Sequence, residues 1–314
     1  MDRLLRPLFV LLWSSGFLAG VLGTRDTPPL ALSVWRFLLA AGLLLAVAVV
    51  TRAPWPRTRR EWRDVIATGV LLQAVQFGAA YSAVALGVPA GLAALVLCLS
   101  PVLVAVASGP VLGERLGRRG AVGSAVAVAG TLVAGVGHLD DGGSLLGMTL
   151  LVVGLVGFAG GTLYQKRFGA AMDLRTGTAV QLVAGAVVLA PLSFMVEGGL
   201  PLPTGPVGFA ALAWLAVANS IGGVLILFVL LRGGTGAGVS GLLYLVPAVT
   251  AVLAVPVLGQ PVDAETLAGL AITLVGVVLV NLRGTAPRRR QQVSHRWSRR
   301  TTGIGSAAQA AADR

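Results

Sequence analysis

The chain has 314 residues, of which 11% are charged and 56% are hydrophobic. A soluble domain carries about 25% charged residues, so this composition excludes a fully water-facing surface and indicates that most of the surface faces lipid. The net charge of +12 does not indicate nucleic-acid binding, because the basic residues lie at the ends of apolar runs and in the C-terminal tail. No nucleic acid is therefore expected as a partner. The single cysteine, Cys98, lies in an apolar run, where we expect a core thiol.

Hydropathy predicts an all-α polytopic membrane protein with ten transmembrane helices. A span needs about 20 apolar residues, and ten such runs follow one another along the chain: 7–23, 31–50, 65–86, 89–112, 119–137, 144–164, 176–196, 207–231, 237–258 and 266–282. The first run follows two arginines, as a signal peptide does, but it lacks a small-residue cleavage site and we expect it to remain as a span. Residues 284–314 are polar and basic, which predicts a disordered cytoplasmic tail that attracts anionic lipid. A specific binding partner for this tail is the alternative.

The distribution of Lys and Arg predicts that both termini are cytoplasmic. With ten spans and the N-terminus inside, the inner segments hold 22 of the 24 basic residues, the outer loops hold only Arg25, and Arg36 lies within a span. Cytoplasmic loops carry such an excess of basic residues. We therefore expect a multi-pass protein of the inner (cytoplasmic) membrane.

An internal repeat divides the chain into two halves. Residues 101–130 and 247–276 align at an offset of 146 with ten identities in thirty positions, among them two prolines and three glycines. We assign residues 1–143 and 144–283 to two repeats of five spans each, followed by the 284–314 tail. Because five is odd, the second repeat enters the membrane from the opposite side. Inverted repeats of this kind are typical of secondary transporters, whose substrate site lies near the midplane.

Three segments resemble the EamA domain of the drug/metabolite transporter superfamily. They are the opening LLWSSGF at 11–17, the segment 89–135 with its LSPVLVAVASGPVLGERLG, and YLVPAVTAVLAVPVLGQ with the glycine-spaced helix that follows it, at 244–281. The resemblance covers about 7–283 and implies ten spans, a central cavity between the halves, and export or exchange of amino acids or other metabolites. It departs from the family pattern at Gln260, where the second repeat often has a glutamate like Glu114, so a mechanism that needs both acids is not implied.

Polar residues within apolar spans are candidates for a substrate path, because such groups are costly in hydrocarbon. Gln73 and Asn219 lie near the middle of the third and eighth spans, again 146 residues apart, and are predicted to line one cavity. An interhelical hydrogen bond without substrate contact is the alternative. Gln76 lies on the same helical face as Gln73. The predicted cavity also includes three aromatic residues: Trp13, Tyr81 and Tyr244.

Two prolines, Pro101 and Pro247, fall near the centre of a span. Each removes a backbone N–H and frees the carbonyl four residues earlier, on Leu97 or Leu243. Freed carbonyls at this depth suit a binding site or a gating hinge, and a purely structural kink is the alternative.

One charged residue, Arg36, lies clearly inside a span, about five residues from its outer end. It either extends to the outer interface as an anchor or acts as an outer gate or a contact for an anionic substrate. No Asp or Glu lies at mid-depth. We therefore expect facilitated flux or exchange, and proton antiport through an edge group such as Glu114 is the alternative.

These patterns favour a secondary transporter that exports a small metabolite, an amino acid or similar, by alternating access. The two histidines, His138 and His295, lie in an outer loop and in the tail, and the sequence has no P-loop. No catalytic residue, metal or cofactor is predicted, and a membrane-embedded enzyme or a channel without alternating access is the alternative. The expected partners are the substrate and the lipid bilayer, with the chain a monomer or a homodimer.

Overall fold

The structure is a computed structural model that describes residues 2–113, 116–136, 144–168, 172–223, 226, 242–260 and 262–281. These residues form helices joined by short turns, without a β-strand among them. The helices are α1 Asp2–Gly23, α2 Pro29–Val50, α3 Arg59–Gly69, α4 Gln76–Ala85, α5 Ala90–Leu97, α6 Ser100–Leu112, α7 Arg118–Val136, α8 Ser144–Phe168, α9 Leu174–Val196, α10 Pro206–Ala213, α11 Val246–Leu258 and α12 Ala264–Asn281. Two π-helical segments, π1 Val70–Val75 and π2 Trp214–Gly222, continue α3 and α10. Glu114 and the 284–314 tail lie outside the described residues.

Six helical stretches of the described residues are long and apolar enough to cross a membrane: Leu5–Gly23, Pro29–Val50, Arg59–Ala85, Ala90–Leu112, Leu145–Phe168 and Leu174–Val196. They coincide with predicted spans one to four, six and seven. The fifth predicted span is α7, and the last three fall on the shorter apolar helices Pro206–Gly222, Val246–Leu258 and Ala264–Val280. The helical membrane architecture is confirmed, whereas the number ten stays a prediction, because the eighth and ninth predicted spans extend into residues outside the described ones.

Several helix ends follow from local sequence. At the start of α3 the Thr58 hydroxyl accepts from the backbone N–H of Glu61, and the Glu61 carboxylate accepts from the backbone N–H of Thr58, which is a capping box. Helices α6 and α11 each end at a glycine with positive φ, Gly113 at 71° and Gly259 at 69°. A left-handed residue at this position satisfies the last carbonyls of a helix, and glycine adopts it without steric strain.

Two backbone irregularities recur at the offset of 146 residues. A turn at 98–99 separates α5 from α6, and a turn at 244–245 precedes α11; in each case a proline without a backbone N–H follows the turn. Each turn ends two residues before one of these prolines. The π1 and π2 segments also overlap at this offset, since residues 70–75 correspond to 216–221.

Glycines allow a close helix contact between α7 and α12. A Cβ atom added to Gly276 would lie 2.6 Å from Ala127 Cα, and one added to Gly123 would lie 2.7 Å from the Gly276 carbonyl oxygen. At both positions a side chain larger than hydrogen would force the two helices apart. Elsewhere α2 packs along α9, and α4 packs along α8. These two contacts join the first half of the chain to the second and place a cavity between them.

Candidate functional site

A cavity of about 230 Å³ lies among helices from both halves of the chain. Its described lining residues come from α1, α2, π1, α4, α5, α8, α9 and π2, and are Trp13, Gly16, Phe17, Arg36, Leu72, Gln73, Gln76, Phe77, Ala80, Tyr81, Leu97, Phe158, Thr178, Leu182, Asn219 and Ser220. Of the predicted site residues, the structure thus brings together Trp13, Arg36, Gln73, Gln76, Tyr81 and Asn219. Arg36 is the one charged residue in this lining set.

The Arg36 side chain points into the protein interior and is only 3% exposed. Its Nε donates to the Ser220 hydroxyl at 3.1 Å, its Nη2 donates to Asn219 Oδ1 at 2.9 Å, and its Nη1 donates to the Tyr81 hydroxyl. Its guanidinium carbon also lies 4.3 Å from the centroid of the Phe77 ring, within the range of a cation–π contact. The alternative of an anchor at the outer interface is wrong in this structure, because the charged group lies in the cavity wall.

The π2 segment carries two of the three acceptors of Arg36, and hydrogen bonds hold both in place. Asn219 Nδ2 donates to the Leu12 carbonyl oxygen at 3.0 Å, and the Ser220 hydroxyl donates to the Leu215 carbonyl oxygen at 2.9 Å. Each side chain therefore accepts a hydrogen bond from Arg36 and donates one to a backbone carbonyl. The Asn219 side chain makes interhelical hydrogen bonds, as in the alternative stated for it above, and it also lines the cavity.

Two glycines of α1 make room for this network. A Cβ atom on Gly16 would lie 2.9 Å from Asn219 Cγ, and one on Gly20 would lie 2.7 Å from Tyr81 Cε1. Such distances require the neighbouring side chain to move. The spacing of these glycines, four residues apart, places both on one face of α1 and is the sequence signal that could have indicated this close approach.

The two glutamines of the site differ from Asn219, because neither side chain hydrogen-bonds to another described residue. Gln73 lies on π1 and Gln76 is the first residue of α4; both line the cavity, and Gln76 is buried. An amide offers one acceptor and two donors. These groups are available to a molecule within the cavity.

Aromatic and apolar side chains complete the wall, and sequence reasoning did not select most of them. Phe77 packs edge-to-face on Tyr81, with ring centroids 5.7 Å apart. Its position four residues before Tyr81 on one helical face was an available signal. Trp13 packs against Phe9 at 5.1 Å. Phe158 and the other second-half apolar residues gave no local signal, since an apolar residue in an apolar span is the common case.

Three predicted site residues lie elsewhere among the described residues. Tyr244 is 7% exposed, and its buried hydroxyl has no hydrogen-bond partner in the described structure. It packs in a core cluster with Leu97 and Cys98 and is absent from the cavity lining. Pro101 and Pro247 are absent from it too, although Leu97, whose carbonyl Pro101 leaves free, does line the cavity.

A second cavity of about 210 Å³ lies beside the α2–α3 connection and the start of α9. It contains Asp64, a carboxylate that is 6% exposed and that sequence reasoning did not select. Asp64 accepts from the Tyr164 hydroxyl at 2.9 Å and from Arg63 at 2.9 Å. Tyr164 therefore links α8 to α3. This carboxylate is paired with Arg63 and Tyr164 and makes no hydrogen bond to a lining residue of the first cavity.

The described residues contain no group of three or more His, Cys, Asp or Glu side chains placed to hold a metal ion. The chemistry of the first cavity is that of a binding site. It offers a fixed cation, two amides and an apolar wall.

The chain is similar to several known membrane transporters. The chain is 28% identical over 290 residues to the uncharacterized inner membrane transporter YedA of Escherichia coli (strain K12), covering 89% of this chain and 92% of the relative. It is 28% identical over 305 residues to a probable amino-acid metabolite efflux pump of Salmonella typhimurium, covering 93% of this chain and 98% of the relative. A crystal structure with 22% identity superposes with a TM-score of 0.59 over 91% of this chain and 98% of that one, which shows a shared fold. The EamA-like transporter family matches residues 4–136 and 145–282, and the chain belongs to this family.

Proposed function

We propose that the chain is a secondary transporter that exports a small metabolite, an amino acid or similar, across the inner membrane. In this proposal two inverted five-helix repeats alternately open the first cavity to the two sides of the membrane. The observation that carries the proposal is the cavity itself, because polar groups from both family-matched segments line one space within an apolar helix bundle. The printed name of the Salmonella relative, a probable amino-acid metabolite efflux pump, supports the direction and the substrate class.

The proposed driving force is the substrate gradient or exchange. No Asp or Glu belongs to the described lining of the cavity, so the described wall offers no carboxylate for a proton relay at the site. The interruption at 98–99 follows Leu97 of the cavity lining, and π1 and π2 contribute lining residues themselves. Together with the equivalent interruption at 244–245, they supply the flexible positions that a rocking motion needs.

Counterflow in proteoliposomes tests this function. The full chain is reconstituted, liposomes are loaded with one unlabelled amino acid at a time, and uptake of the same labelled amino acid is followed. A transporter with alternating access gives a transient accumulation of label above equilibrium for at least one amino acid. A channel gives equilibration without accumulation, and protein-independent flux for every amino acid contradicts the proposal. Gly42→Ala is the matched control, because a Cβ atom there meets nothing within 4 Å.

A further inference from the structure

The charge of Arg36 has no acidic partner among the described residues. Its hydrogen-bond acceptors are a serine hydroxyl, a phenol and an amide oxygen, all of them neutral. A buried charge without a counter-charge is costly in an apolar environment, and ionisable groups retained within a membrane bundle mark functional sites. The position of Arg36 in a cavity wall therefore indicates that its counter-charge arrives with a ligand.

The guanidinium keeps donors available for such a ligand. Of its five N–H groups, three are used, one each on Nε, Nη1 and Nη2. One N–H on Nη1 and one on Nη2 remain without a described acceptor. The Tyr81 hydroxyl accepts from Arg36, and its own hydrogen has no acceptor among the described side chains and carbonyls. Arg36 and Tyr81 both line the cavity, so these three donors belong to residues of its wall.

The second half of the chain fixes the orientation of these donors. Ser220 and Asn219 are adjacent on π2 and accept hydrogen bonds from Nε and Nη2. Each of them also donates a hydrogen bond to a backbone carbonyl. Phe77 covers one face of the guanidinium. A planar cation held in this way is preorganised, so little freedom is lost when a ligand binds.

We propose that Arg36 binds the carboxylate group of the transported molecule through its free Nη1 and Nη2 hydrogens, with the Tyr81 hydroxyl as a further donor. Two parallel N–H groups match the two oxygens of a carboxylate. One fixed positive charge is balanced by a monoanionic group, which favours a monocarboxylate over a phosphate of higher charge. Gln73 and Gln76 then face the remaining polar group of the ligand, and Phe17, Phe158 and Leu182 face its apolar part. This inference rests on the proposed function, since it assigns the substrate class of the same cavity.

A test that needs no variant compares each acid with its own carboxamide. The panel consists of free 2-amino acids and 2-hydroxy acids, their carboxamides, and inorganic phosphate. The readouts are the rise in unfolding temperature of the purified full chain and inhibition of counterflow. We expect at least one free acid to bind roughly tenfold or more tightly than its carboxamide, because hydrogen bonds to charged groups are lost in the amide. Equal binding of acid and carboxamide, or preference for phosphate, overturns the carboxylate assignment.

Arg36→Lys tests the residue itself. Lysine keeps the charge and lacks the planar fork, so the ratio of acid to carboxamide affinity should fall roughly tenfold, while Arg25→Lys, at an exposed position outside the cavity, should leave the ratio unchanged. Tyr81→Phe, which removes one donor at nearly constant volume, covers the case in which Arg36→Lys does not fold, and it should lower the same ratio. An unchanged ratio in every folded variant overturns the proposal. Transport of a carboxamide but of no carboxylate overturns the carboxylate proposal and leaves the proposed transporter function standing. No transport and no binding of any panel compound overturns both the carboxylate proposal and the transporter function.

Discussion

Asn219 and Gln73 occupy equivalent positions at the repeat offset, yet their amides have different surroundings. Asn219 accepts from Arg36 and donates to the Leu12 carbonyl oxygen, so it joins α1, α2 and π2. The Gln73 side chain makes no hydrogen bond with a described residue and lies on the cavity wall. We infer that Asn219 positions Arg36, whereas Gln73 is available to the substrate.

Leucine substitutions at these two positions should therefore have separable effects. Asn219→Leu leaves a buried Arg36 N–H without a partner, at about 1–3 kcal/mol, and removes one hydrogen bond from the Leu12 carbonyl, which still accepts from the Ser15 hydroxyl. The variant should lower the unfolding temperature by roughly 2–10 °C. Gln73→Leu should change the unfolding temperature by less than about 2 °C and raise the KM of transport. Differential scanning fluorimetry and counterflow kinetics measure the two effects.

The control for both variants is Val217→Leu, at a position on π2 that is 53% exposed. It should change neither quantity. A wild-type KM in Gln73→Leu would show that Gln73 does not contact substrate. A wild-type unfolding temperature in Asn219→Leu would show that the bridge to Leu12 and Arg36 contributes little to stability.

At the scale of the helices, the turns at 98–99 and 244–245 are either hinges that move during transport or static kinks, and a proline substitution separates the two. Pro247→Ala restores a backbone N–H that can bond the Leu243 carbonyl, and alanine favours a continuous helix by about 3 kcal/mol relative to proline. If the turn is a hinge, the variant should remain stable and bind substrate normally but exchange it about tenfold more slowly, which corresponds to a barrier raised by about 1.4 kcal/mol.

Counterflow rates and binding affinities of Pro247→Ala, measured beside Pro206→Ala, test this prediction. Pro206 begins α10 after a loop, so its replacement joins no helices and should leave the exchange rate unchanged. A normal exchange rate in Pro247→Ala would show that the proline only shapes a static kink.

The elements differ in how far the sequence predicts them. The apolar runs predict the helices because a span length is set by the bilayer, and Pro101 and Pro247 predict interruptions because the loss of a backbone N–H is a local effect. The π1 and π2 segments were not predicted, since their sequences carry no equivalent local signal. The burial of Arg36 was not predicted either, because its partners Asn219 and Ser220 lie 183 and 184 residues away along the chain.

At the scale of the whole molecule, the two family matches at 4–136 and 145–282 and the recurrence of irregularities at one offset support a two-fold architecture. The excess of basic residues in the predicted inner segments predicts that both termini are cytoplasmic. The proposed function requires that a cavity between the halves is reached from each side in turn. Access to Gln73 is therefore the property on which the account depends most.

The most direct measurement is the labelling of a single cysteine at Gln73 by a membrane-impermeant thiol reagent. Gln73→Cys in a Cys98→Ala background is reconstituted, and vesicles of right-side-out and inside-out orientation are treated separately. Arg57→Cys, at an exposed position in the α2–α3 connection, is the control and should react only from the cytoplasmic side. If the cavity opens to each side in turn, Gln73→Cys reacts in both orientations, and a transported substrate slows the reaction in both. Labelling from one side alone, or labelling that no transported substrate slows, would contradict alternating access through this cavity.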